Sequence, residues 1–274
     1  MTTPYTLWGL PTWAAPWELP LLGVISFLVG ILGGFVGLAL GTMRLTVLLL
    51  LGFPAGVAGG SNILVSTAGA LTGAWVHLRE RRVVWRVVAT MGGASVVGAF
   101  LGALGSGRVP EGVLVGGAGM LVLWQGVELV VMARRGRLAM APIKGPAPSW
   151  GVRLREEVGV GLLIGLVGGA VGLILGTLRL PAMLRRLKMD PRQAAGTNLA
   201  VGLFLGLSGF FGHLLRGEQD WAVLVVMVPT GMLGTFLGAR LTGRTRLTVL
   251  VGSMGVVLMV VGALLVWDGW RRGL

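Results

Sequence analysis

Residues 30–45 read GILGGFVGLALGTMRL, and residues 165–180, 135 positions later, read GLVGGAVGLILGTLRL. Eleven of the sixteen positions are identical, including Gly41, Thr42 and Arg44, which recur as Gly176, Thr177 and Arg179. A chain that writes this stretch twice must meet one set of packing demands twice, so its fold is confined to two similar halves. Each copy also sets one arginine in otherwise apolar sequence. A charge there is expensive unless something needs it, and the two arginines are expected to face one anion site.

The duplication runs on. After a one-residue slip the spacing is 136: Gly60-Ser61-Asn62 matches Gly196-Thr197-Asn198, His77 matches His213, and Trp85 matches Trp221. Gly98, Phe100, Leu101 and Gly102 match Gly234, Phe236, Leu237 and Gly238. The halves read as a first repeat, 19–133, a linker, 134–156, and a second repeat, 157–268. The linker region carries six Lys and Arg, with Pro142, Pro146 and Pro148, as a surface connection would.

Of the 274 residues, 54% are hydrophobic and 12% charged, and the mean hydropathy is +0.86. Such sequence belongs to an all-α polytopic membrane protein. Its 49 glycines suit close approach of membrane helices, and the alternating strands of a β-barrel are missing. The formal charge of +13 lies in short loops between apolar runs, where orientation signals belong, so a nucleic-acid partner is not expected. Cysteine is absent, which excludes disulfides and thiolate metal sites. Residues 1–20 hold no Lys or Arg ahead of the first apolar run, which argues against a cleaved signal peptide. Trp8, Trp13 and Trp17, interleaved with prolines, read as an interfacial lead-in.

The first apolar run, 19–51, is too long for one span. As a single helix its residues would extend roughly 50 Å, against a hydrocarbon core of about 30 Å. A break is expected around Gly41-Thr42, with Gly33, Gly37 and Gly41 on one smooth helix face. If this broken element enters and returns on one side, each half has three further crossings. The halves are then inverted, and the loops place 17 Lys and Arg on one side and 4 on the other. If instead every element crosses, the split is 13 to 8. The positive-inside rule favours inverted repeats, each with a re-entrant Gly-rich helix plus three transmembrane helices, a cytoplasmic linker and termini outside the cell membrane. Broken helices meeting near the midplane bring unpaired N–H groups and positive dipole ends to an anion there.

Arg44 and Arg179 lead the candidates, since a guanidinium binds an oxyanion bidentately; the alternative is a snorkelling side chain. Gly41, Gly176, Thr42, Thr177, Ser61, Asn62, Thr197 and Asn198 complete the expected substrate site, although the hydroxyl and amide groups could equally be helix caps. His77 and His213 fit either interfacial residues or a proton-linked gate. Glu128, in an apolar span near its cytoplasmic end, is a further candidate for a proton role. Neither a metalloprotease motif nor a phosphate loop is present, and the glycine runs lack the strand of a dinucleotide site. No enzyme activity, cofactor or metal is expected.

These residues resemble the TauE/SafE sulfite and organosulfonate exporters, also called the 4-toluene sulfonate uptake permease family. The resemblance covers nearly the whole chain. It rests on the duplicated Gly-rich opening, the Gly-Ser/Thr-Asn that follows, His-Leu ahead of a Trp, and the repeated Gly-x-Phe-Leu-Gly. Many members have three glycines and a proline at the break; here only the second copy keeps the proline, Pro181. The resemblance implies a secondary transporter, usually an exporter, of a small sulfur-containing anion bound between the repeats. An anion channel using the same cationic constriction is the alternative, and a structural membrane subunit is a third class. The chain leaves a homodimer open.

Overall fold

The structure, a computed structural model, describes residues 5–36, 41–134, 150–241 and 247–273. A short hairpin, β1 (Tyr5–Leu7) and β2 (Leu10–Thr12), precedes the helices. The first half then runs α1 (Glu18–Val36), α2 (Gly41–Leu50), α3 (Ala55–Arg79), α4 (Trp85–Val87), α5 (Gly93–Gly105) and α6 (Glu111–Arg134). A π-helical turn, Val88–Gly92, joins α4 to α5. The second half runs α7 (Trp150–Val171), α8 (Gly176–Arg185), α9 (Pro191–Leu215), α10 (Trp221–Leu241) and α11 (Leu247–Arg271).

The protein is therefore mostly helical, as apolar sequence in a bilayer requires, because a helix satisfies its own backbone hydrogen bonds. Among the described residues, Trp85–Arg108, Glu111–Val131, Gln193–Leu215 and Trp221–Gly238 are long and apolar enough to cross a membrane. At 25 residues each, α3 and α11 are of comparable length. The last turns of the expected linker are helical, since α7 already starts at Trp150.

Both long openings divide into two helices, and in the second copy the turn comes slightly ahead of the expected place. Gly41 and Thr42 are the first residues of α2, and residues 37–40 lie outside the described residues. In the second copy α7 stops at Val171, Gly172 turns with φ +76°, and α8 starts at Gly176. A Cβ on Gly172 would run into the Gly59 backbone of α3, so this turn is open to glycine alone.

Gly33 and Gly41 belong to different helices, α1 and α2, so they share no helix face, and Gly37 falls outside the described residues. The smooth face is instead offset from that series. Gly161, Gly165 and Gly169 of α7 press on the backbone of Met91, Ser95 and Ala99, while Gly98 and Gly102 press back on Leu162 and Leu166. Across the equivalent α1–α10 seam Gly30 meets Gly231 and Gly234, and Gly234 and Gly238 meet Phe27 and Ile31. Such contacts bring helix backbones close enough for packing alone to hold them.

These registers fix directions. Residue numbers rise together along α1–α10 and along α5–α7, so both pairs are parallel. Gly60 lies by His213, Gly206 by Thr67, Gly73 by Leu199 and Gly196 by His77, so α3 and α9 are antiparallel. Gly112 by Gly269 and Gly126 by Gly255 make α6 and α11 antiparallel as well. Each of these last two pairs joins corresponding helices of the two halves.

Two ends result. At one, Thr12 Oγ1 and the Trp13 N–H donate to Asp220 Oδ2 (2.8 and 2.7 Å), the Asp220 N–H donates to Ser61 Oγ (3.0 Å), and Arg272 pairs with Glu111 (3.1 Å). At the other, the Val84 N–H donates to Thr197 Oγ1 (3.0 Å) and Arg186 pairs with Glu156 (2.5 Å). The cation-rich loops 79–86 and 185–192 meet at this second end.

Candidate functional site

Arg44 and Arg179 are 4% and 0% exposed, on the short helices α2 and α8 that follow the two breaks. Arg44 Nη2 donates to Ser66 Oγ of α3 (3.2 Å), and its Nε has no partner among the described residues. Arg179 Nε donates to Asn198 Oδ1 of α9 (3.1 Å), while Nη1 and Nη2 have none. No carboxylate lies within ion-pair distance of either guanidinium among the described residues. A buried charge without a counter-charge is strongly unfavourable. These are interior cations, not snorkelling ones.

The guanidiniums approach one region from opposite halves. The α3–α9 crossing brings Thr67 to Gly206, and Ser66, the Arg44 partner, is the neighbour of Thr67. A Cβ on Gly202 would lie 3.3 Å from Arg179 Nη2. Gly202 is one helical turn, about 6 Å, from Gly206. Ile174, in the broken stretch of the second half, packs against both Gly202 and Gly206, so the break itself passes the crossing. The two arginines share no hydrogen-bond partner among the described residues.

The other expected residues divide into two groups. Thr42, Asn62 and Asn198 are buried, Asn198 against Arg179 and Asn62 one helical turn from Ser66, the Arg44 partner. Thr42 Oγ1 and Asn62 Oδ1 lack partners among the described residues, and Asn62 Nδ2 donates to the Gly172 carbonyl oxygen (2.9 Å). Gly41 and Gly176 let their helices start against these amides: a Cβ would fall 3.3 Å from Asn62 Nδ2 in one half and 2.9 Å from Asn198 Nδ2 in the other. Thr177 is buried in the first turn of α8, whose N-terminus has no side-chain cap. Ser61 and Thr197 stand apart. Their hydroxyls accept the N–H groups of Asp220 and Val84, each tying its own half to the start of a helix in the other.

The histidines lie away from the arginines. His213 is fully buried: Nε2 donates to the Gly169 carbonyl oxygen (2.8 Å), and Nδ1 is 2.8 Å from Glu218 Oε2. Burial pushes the Glu218 carboxyl up, but hydrogen bonds from His213 and Arg216, with their charges, outweigh it and hold it below the ordinary carboxylate range. His77 is half-buried and its Nδ1 is unpartnered among the described residues. Glu128 is half-buried on α6, which packs along α11. Among the described residues no three metal-ligating side chains gather.

The sequence profile described as "Sulfite exporter TauE/SafE" matches residues 22–265, nearly the whole chain. The chain belongs to the TauE/SafE family. This TauE/SafE protein is 25% identical over 252 residues to the "Probable membrane transporter protein YdhB" of Bacillus subtilis, covering 90% of this chain and all of that one. It is 28% identical over 260 residues to a "Probable membrane transporter protein" of Xylella fastidiosa, covering 90% and 93% of the two chains. No solved structure matches it. It is a membrane transporter family protein.

Two polar groups on α2 and the helix packed against it escaped the sequence reading of this TauE/SafE chain. Ser66 supplies the Arg44 partner, and Thr46, one turn beyond Thr42, is buried with Oγ1 unpartnered among the described residues. A signal existed: Thr42 and Thr46 share a helix face at i, i+4. The repeat hid it, because the counterparts of Thr46 and Ser66 are Pro181 and Gly202.

Proposed function

We propose that this chain is a secondary transporter, working as an exporter, of a small sulfur-containing anion such as sulfite or an organosulfonate. The anion lies between the two halves, near the membrane midplane, held by Arg44 and Arg179 with Thr42, Thr177, Asn62, Asn198 and the openings of α2 and α8. The observation that carries the reading is the pair of buried guanidiniums with unpaired N–H groups at the breaks. An oxyanion supplies the missing charge and acceptors together, and the uncapped start of α8 favours a negative partner. Ser61 and Thr197 hold the two halves together around it.

The halves are inverted repeats. Antiparallel pairing of α3 with α9, and of α6 with α11, supports this, because corresponding helices running in opposite directions are what an axis in the membrane plane produces. The cation-rich end faces the cytoplasm of a cell-membrane protein, with both termini outside. Cysteines placed singly at Thr3 and Ser149 in this cysteine-free chain test the orientation. An impermeant maleimide on intact cells should label the Thr3 position and spare Ser149; the reverse pattern rejects it.

The functional test is counterflow in proteoliposomes. Unlabelled sulfite trapped inside should drive uptake of labelled sulfite above its equilibrium level, which a carrier does and a channel does not. Equilibration without overshoot would assign the chain to the channel class, and no flux of sulfite or sulfonates would reject the substrate class.

A further inference from the structure

A crevice of about 810 Å³ opens between α7 and α8, on the second half's broken element. It is polar at one end and apolar at the other. The two helices run antiparallel on either side of the break, and the pair between Arg186 and Glu156 pins their outer ends together. Arg155 and Arg186 stand at this mouth, and Val160, Leu163 and Leu178 line the inner wall. Arg155 is exposed and makes no ion pair among the described residues, while Arg186 is shared with Glu156. The mouth therefore keeps one cation beyond its single acid. Leu163 is 63% exposed, so little of the protein covers it.

We propose that this crevice holds one anionic phospholipid, its phosphate between Arg155 and Arg186 and an acyl chain along Val160, Leu163 and Leu178. A lipid with a charged head and an apolar tail matches the order of groups along the walls, whereas a free anion would leave the apolar end unfilled. Basic pockets at the interfacial ends of membrane helices attract anionic headgroups, each Lys or Arg adding attraction at the surface. Charge also argues against the chain's own segment 135–149, which carries Arg135, Arg137 and Lys144 and no acid. Seating a lipid there braces α8, the helix that carries Arg179. The site needs only the membrane setting and is independent of what the protein transports.

Leu163→Cys, labelled with bimane in the full-length protein in detergent, provides the probe. Brominated phosphatidylglycerol should quench it saturably, at roughly tenfold lower concentration than brominated phosphatidylcholine, and Arg155→Gln with Arg186→Gln should abolish that preference. Inorganic phosphate should not displace the lipid. Equal quenching by the two lipids, or a preference that survives the double substitution, overturns the proposal. Quenching by neither lipid also overturns it, leaving segment 135–149 as the occupant to examine, and displacement by phosphate gives the site to a free anion. Because Leu163, Arg155 and Arg186 are all exposed, the variants should fold; phosphatidylglycerol raising the thermal stability of wild type but not of the double variant is the second readout, and equal stabilisation counts against the site.

Discussion

The two halves keep the same guanidinium and support it differently. Arg44 has the Ser66 hydroxyl at 3.2 Å; the corresponding residue beside Arg179 is Gly202, so Arg179 leans on Asn198 and leaves both terminal nitrogens unpaired. Thr46 in one half stands where Pro181 stands in the other. A buried charge that served packing alone would need matching partners in both copies. Here the charge is common to the copies and the partners are not, which is the pattern expected when the main partner comes from outside the chain.

The outer parts of the halves differ too. His213 is fastened to Gly169 and Glu218, whereas His77 faces Arg82 at the position of Glu218 and keeps a bare Nδ1 among the described residues. Asp220 caps α10, accepting from the Val223 N–H (3.1 Å), and anchors the N-terminal hairpin; its counterpart Val84 has no side chain to do either. One end of the molecule is thus tied by a charged network. At the other, the corresponding positions lack it.

Substitutions can break this comparison. The largest effect should come from Gly172→Ala, which combines a left-handed φ with collision against Gly59 and should cost about 3 kcal/mol. Gly159→Ala in the preceding helix α7, where an added Cβ meets nothing, should be neutral or stabilising by up to about 1 kcal/mol. Thermal unfolding in detergent compares them, and similar stabilities would mean that the turn at the break is not what the helix directions require.

Next comes the tied end. Glu218→Gln should destabilise by roughly 1–3 kcal/mol, since it strips charge from a half-buried pair with His213 and Arg216. Arg82→Gln at the corresponding place, where an exposed pair with Glu80 is lost, should cost less than about 1 kcal/mol. Glu218 is held below its ordinary value, so its contribution is complete above about pH 4.3, the unfolded value, and fades as pH falls through the lower folded value. Stability of Glu218→Gln should lack that acid-side slope; an unchanged slope would remove Glu218 from the network. A modest effect, on anion binding, belongs to Ser66→Gly, which makes the first half resemble the second. Losing one hydrogen bond of about 1 kcal/mol should weaken anion binding roughly fivefold, and no change would detach Ser66 from the site.

Much of this was legible in the sequence. The duplication pointed to Gly41 and Gly176, where α2 and α8 start, and singled out both arginines, because a charge in an apolar run is rare enough to stand out. It misplaced the packing glycines: a strict i, i+4 count from Gly33 assumes a continuous helix, and Gly41 opens a second one. It could not separate Ser61 and Thr197 from Asn62 and Asn198, since a cap and a ligand use the same side-chain groups and only the positions of Asp220 and Val84 distinguish them. Thr46 and Ser66 were invisible for the opposite reason, as a search by repetition passes over what one half has and the other lacks.

The central claim is that two buried guanidiniums hold one transported anion. Sulfite affinity measured on purified wild type, Arg44→Gln, Arg179→Gln and the double variant tests it most directly. Each single substitution removes a charge-assisted hydrogen bond of roughly 1.5–3 kcal/mol, so affinity should fall about tenfold to a hundredfold, more for Arg179, with its two unpaired terminal nitrogens. Lysine should restore only part, because an ammonium cannot reproduce the planar fork. The double variant should depart from the sum of the singles, as expected when both side chains touch one ligand. Near-wild-type affinity in both single variants, with additive effects in the double, would contradict the account.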